Sequence, residues 1–131
     1  MSDGDAPFHA HVYFSAGERA AAASLRESFQ RLAGNDGERR ILFVGRMVDR
    51  PVGPHPIPQF EIHFPQRTLA PVIDAIEASG LRALIHPLTD DDVADHTTLA
   101  RWIGAPLELD ISVLDPPGFN KGVGRFGSSD F

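Results

Sequence analysis

Six histidines stand in a chain of 131 residues that contains no cysteine. Without thiols the chain can form no disulfide, iron–sulfur cluster, thiolate zinc site or cysteine nucleophile, so any metal must be held by nitrogen and oxygen. Imidazole and carboxylate together suit Fe, Zn, Cu or Mn. His9 and His11 are separated by one residue, which on an extended chain puts both imidazoles on one side. His86 precedes Pro87, His55 stands between Pro54 and Pro56, and His96 lies four residues beyond Asp92. Imidazole titrates near neutrality, so a histidine beside a metal can also move protons.

The elements that must position these groups read as alternating strands and helices. In residues 8–14, Phe8, Ala10, Val12 and Phe14 alternate with His9, His11 and Tyr13, which predicts a strand with one apolar and one histidine-bearing face. Ser15 followed by Glu18 makes a capping box for a helix whose Ala22, Leu25, Phe29 and Leu32 recur at helical spacing until Gly34. Residues 40–48 favour a second strand, followed by a rigid Pro-rich loop over 49–56. Phe60, Ile62 and Phe64 alternate with Gln59, Glu61 and His63 in a third strand, and Leu69, Val72, Ile73 and Ile76 stripe a second helix closed by Gly80. Residues 81–86 form a fourth strand, halted by Pro87.

This βαββαβ order predicts an α+β fold of the ferredoxin-like type, with the first and third strands parallel neighbours and the fourth antiparallel beside the first. Beyond it, Thr89 is expected to cap the acidic turn Asp90, Asp91, Asp92 of an added helix reaching Ile103. Leu107, Leu109, Ile111 and Val113, alternating with Glu108, Asp110 and Ser112, predict an added strand. Residues 1–7 and the Gly-rich 116–131 lack periodicity, so a disordered start and a mobile tail are expected to flank a single domain over 8–115.

Helices covering the apolar sheet face leave His9, His11, Glu61 and His63 on the other. In the parallel alignment Gln59 falls near His9, Glu61 near His11 and His63 near Tyr13, while an antiparallel fourth strand brings His86 beside the start of the first. The loop carrying His55 and the segment carrying His96 reach the same edge, so five histidines can converge. That convergence predicts a metal centre from His9, His11 and His86, with Glu61 as an alternative carboxylate ligand. A sheet face open to water would carry polar residues without any such role. Leu84 and Ile85 make both faces of the fourth strand look apolar, so the pattern leaves the face of His86 undecided.

The net charge of −6, with Arg39-Arg40 as the sole basic cluster, argues against a nucleic-acid partner. No apolar run approaches the ~20 residues of a membrane span. The polar opening Met1-Ser2-Asp3-Gly4-Asp5 lacks the features of a signal peptide, so a cytoplasmic location is expected.

The stretches His9-Ala10-His11-Val12-Tyr13-Phe14, Gly53-Pro54-His55-Pro56, Ile85-His86-Pro87-Leu88-Thr89-Asp90-Asp91-Asp92 and Asp95-His96-Thr97 together resemble the DOPA 4,5-dioxygenase family. The likeness continues through Trp102 and Leu109-Asp110-Ile111-Ser112-Val113-Leu114. The resemblance implies a ferredoxin-like homodimer that uses O2 to open a catechol such as DOPA or caffeic acid by extradiol cleavage. It implies non-haem Fe(II), with Zn or another divalent metal possible as purified. The family pattern carries over onto His9, His11, His55, His86 and His96, and it favours His9, His11 and His86 as the metal ligands. His55 and His96 are then the candidate acid and base, and Tyr13, Glu61 and His63 the candidate substrate contacts. Two other readings remain: a non-catalytic metal- or ligand-binding dimer joined by the polar sheet face, and a cofactor-free oxygenase in which the histidines act as bases.

Overall fold

Strict alternation shapes the two central strands, β1 (Pro7–Tyr13) and β3 (Gln59–Pro65), each of which sends even-numbered residues to one face and odd-numbered residues to the other. The computed structural model describes residues 3–34 and 40–128. Arg39 of the basic pair and the outermost residues of both expected terminal segments, 1–2 and 129–131, lie outside the described residues. On the even face Ala10, Val12, Phe60, Ile62 and Phe64 form a buried core with Ala22, Leu25 and Phe29 of helix α1 (Arg19–Gly34) and Val72, Ile73 and Ile76 of α2 (Leu69–Ser79). The backbone N–H of Ser15 donates to Glu18 Oε1 at 3.0 Å just ahead of α1, and α2 ends at Gly80 with φ +76°, the left-handed turn that glycine takes without strain. Phe60→Ala, which empties a fully buried site against the Phe29 ring, is expected to cost about 3–5 kcal/mol, read as a lower urea midpoint at unchanged m-value.

The sheet has five strands in the order β2-β3-β1-β4-β5, with β2 (Phe43–Val44), β4 (Arg82–Pro87) and β5 (Arg101–Ile103), and every neighbouring pair is antiparallel. The parallel pairing expected for β1 and β3 is therefore corrected. Helix α1 carries the chain back so that β2 runs with β1, and the loop after β2 reverses it once more, so β3 opposes both. The register is His9↔His63, His11↔Glu61 and Tyr13↔Gln59.

Three further boundaries differ from expectation. The second strand is a two-residue rung, because the five residues from Val44 to Val48 stand against the four from Ile62 to Gln59, and the extra residue interrupts the ladder. The helix expected to reach Ile103 stops at His96, forming α3 (Asp92–His96). Asp91, not Thr89, caps it by accepting the Ala94 N–H at 3.0 Å, and Thr97 leaves helical geometry. Residues Arg101–Ile103 instead extend the sheet, with Trp102 opposite Leu84. The added strand expected over 107–113 is absent: Gly104 at φ +77° turns the chain away from the sheet edge, and Ile111–Val113 is a 3-10 turn with Ile111 and Val113 exposed. Within 116–128 lies a one-turn helix, α4 (Lys121–Gly124). No helix among the described residues is long and apolar enough to cross a membrane.

Candidate metal centre

The odd-numbered face of the sheet is covered, not open to water. His9, His11 and Glu61 are 2% exposed, His86 1%, and Gln59 and His63 0%. A cavity of about 290 Å³ remains above it, walled by His9, His11, His55, His86 and His96, with Asp92, Asn120, Lys121 and Arg125 among the other lining groups. Five of the six histidines therefore meet in one space. His55 arrives by a different route from the one expected, since reversal of β3 puts its start beside Tyr13. The Pro-rich loop folds back over the sheet, held by a Val52↔His55 bridge and by the Asp110 N–H donating to the Pro54 carbonyl.

The antiparallel β1–β4 register places His86 directly opposite His9, which settles its face. His86 Nδ1 lies 2.7 Å from the Pro87 carbonyl, and His11 Nδ1 lies 3.0 Å from Gln59 Oε1. A carbonyl oxygen only accepts, so each Nδ1 carries the proton and each Nε2 is left with a lone pair. These two Nε2 atoms face each other at 3.1 Å. Two lone pairs at that distance repel unless a cation or proton lies between them. A metal about 2.1 Å from each nitrogen requires N···N separations of roughly 3.0–3.4 Å, a range that includes the one found. His9 completes the set, with ligand atoms of His9, His11 and His86 all within 4.8 Å of one another.

Burial is the largest influence on these rings and holds all three well below the usual histidine range, reinforced by His86 at His9, His55 at His11 and His96 at His86. Neutral imidazole is the form that binds a metal.

His55 and His96 flank the set, their ring centroids 4.1 Å from His11 and 4.3 Å from His86 respectively. They differ electrostatically. Burial, then His96, pushes His55 down to about 3, so it is neutral at pH 7. Burial also acts to lower His96, but its Nδ1 lies 2.8 Å from the Asp92 carbonyl and 3.3 Å from Asp92 Oδ1, and these acceptors raise it overall. Asp92 is itself fixed by the Asp115 N–H at 2.9 Å.

Of the expected substrate contacts, none lines the cavity. Tyr13 lies behind His55, its hydroxyl 2.7 Å from His55 Nδ1 and its ring stacked on Trp102. Glu61 and His63 lie behind His9: His63 stacks on His9 at 3.8 Å, and Glu61 Oε2 is 3.5 Å from His63 Nε2. The segment 120–127 escaped sequence reasoning because it has no period. Its readable signal was Asn120, an N-cap residue whose Oδ1 accepts the Gly122 N–H and whose Nδ2 donates to the Thr89 carbonyl, fastening α4 over the site.

Four matches with known proteins bear on this site. The sequence profile of the Dopa 4,5-dioxygenase family matches residues 8–113. Among curated proteins, DOPA 4,5-dioxygenase of Amanita muscaria is 35% identical over 112 residues, 82% of this chain and 49% of the relative. An uncharacterized 21.2 kDa protein of Botryotinia fuckeliana is 32% identical over 117 residues, 82% of this chain and 62% of that protein. The chain thus spans about half the length of the first of these relatives and less than two thirds of the second. Among solved structures, a candidate dioxygenase from Nostoc punctiforme superposes with a TM-score of 0.70 at 37% identity, over 84% of this chain and 91% of that one.

Proposed function

This chain belongs to the Dopa 4,5-dioxygenase family, and we propose from that premise that it is a non-haem Fe(II) enzyme performing extradiol cleavage of a catechol such as DOPA or caffeic acid. The observation that carries the reading is the pair of His11 and His86 lone pairs facing each other at 3.1 Å inside a cavity that three further histidines reach. In this reading His9, His11 and His86 hold the metal. The βαββαβ core over 8–115 is the catalytic domain, of ferredoxin-like type as its sheet order supports, and the tail is its cover.

Bound there, Fe(II) would supply Lewis acidity toward the catechol oxygens and a path for electrons to O2. The protein's own groups handle protons and position. His55, neutral because it is buried, accepts a phenolic proton, and the Tyr13 hydroxyl beside its Nδ1 holds the ring in place. His96, kept protonatable by Asp92, would donate the proton that the reaction delivers to oxygen. The covered sheet face keeps bulk water from the reacting ring. It also presents no open polar surface of the kind a dimer joined by that face would use.

Anaerobic loading with Fe(II), followed by 4-substituted catechols in air, is expected to give a yellow semialdehyde with oxygen uptake equimolar to substrate loss. Colourless muconate would keep the metal centre and overturn the extradiol assignment. No oxygen uptake across the catechol panel, with iron bound, would overturn the enzymatic reading.

A further inference from the structure

His9 belongs to two buried groups of metal-competent side chains, His9–His11–His86 and His9–Glu61–His63. The protons of the second group separate their roles. The Gly127 N–H donates to His63 Nδ1 at 2.9 Å. A neutral imidazole that accepts at Nδ1 carries its own proton at Nε2. That nitrogen lies 3.5 Å from Glu61 Oε2, so it turns an N–H toward the carboxylate and offers no lone pair to a metal there. The same carboxylate oxygen lies 4.0 Å from His9 Nδ1. Its charge favours a proton on that nitrogen and leaves Nε2 of His9 as the donor toward His11 and His86. The stack is maintained by rings: His9 and His63 lie within 6° of parallel, and Phe126 within 14° of both.

We propose that Glu61 and His63 are positioning residues that hold His9 as a metal ligand, and that the Phe126-Gly127 segment is the clasp that fixes their orientation and protons. This rests on the metal centre proposed above. It gives Glu61 and His63 a task behind the ligand in place of the substrate contact expected from sequence. A carboxylate behind a ligating histidine sets its tautomer and raises its basicity, and removing such a partner typically weakens a metal site by about tenfold to a hundredfold.

The test is titration of the full chain with Co(II) against a competing chelator, with the visible Co(II) spectrum recorded alongside. Glu61→Gln, close in shape but uncharged, is expected to bind Co(II) about tenfold to a hundredfold more weakly, with a shifted spectrum and an unchanged far-UV circular dichroism spectrum of the metal-free protein. Phe126→Ala, which removes one ring from the stack on His63 and His9, is expected to weaken binding in the same direction by a smaller factor. Wild-type affinity and spectrum in Glu61→Gln would overturn the positioning role. A loss as complete as that of His86→Ala would overturn it too, by making Glu61 a direct ligand. A wild-type chain that binds no divalent metal would instead overturn the metal reading beneath it.

Discussion

Alanine at His11 or His86 is expected to abolish tight Fe(II) binding, which in the wild-type chain should reach about one ion per chain. The two Nε2 atoms stand at ligand spacing, and each ring is held by an acceptor at its other nitrogen, so removing either ring leaves a neighbour that cannot swing to compensate. His9→Ala should behave alike as the third member. Because a ligand that binds only the folded state raises its stability by mass action, Fe(II) should raise the thermal midpoint of the wild-type protein and not that of the variants. Metal analysis after anaerobic gel filtration gives the stoichiometry. Iron retention at the wild-type level in all three variants would end the proposed ligand set.

The second large effect is expected at the flanking pair. His55→Ala and His96→Ala should keep the metal, since neither belongs to the set of three, and slow turnover by about a hundredfold or more, as loss of a general acid or base does. Steady-state oxygen uptake on metal-loaded protein measures this, and full activity in either variant removes that residue from proton transfer. The two histidines should also separate by pH. If protonated His96 is the donor, the rate falls as pH rises through its pKa, which Asp92 holds above the ordinary value against the opposing effect of burial. Asp92→Asn takes away that support, lowers the pKa, and should move the falling limb to lower pH. A limb that stays in place, or moves upward, would assign the proton to another group.

The faces of the β1 and β3 residues were legible in the sequence, because alternation alone puts His9, His11 and Tyr13 together on β1 and Gln59, Glu61 and His63 together on β3. Direction was not legible, because a pattern that repeats every second residue reads the same both ways. The antiparallel pairing exchanges Gln59 and His63 about the strand centre: His63 comes to His9 and Gln59 to Tyr13, while Glu61 is opposite His11 in either direction. The face of His86 was equally hidden, since β4 is an interior strand flanked by β1 and β5 and carries apolar residues on both sides.

The sequence by itself determined the chemistry available to this protein. A chain without cysteine and with histidines at strand spacing can hold a metal only by imidazole and carboxylate, and its helix caps and apolar stripes dictate which sheet face the helices cover. Tertiary structure alone decided which nitrogens face each other and which carry protons, because those depend on partners far away in the chain: the Gln59 side-chain carbonyl, which accepts from His11, and the Gly127 N–H, which donates to His63. It also decided that the polar face is buried, through a tail with no periodicity of its own, held by the side-chain hydrogen bonds of Asn120 and Asp115.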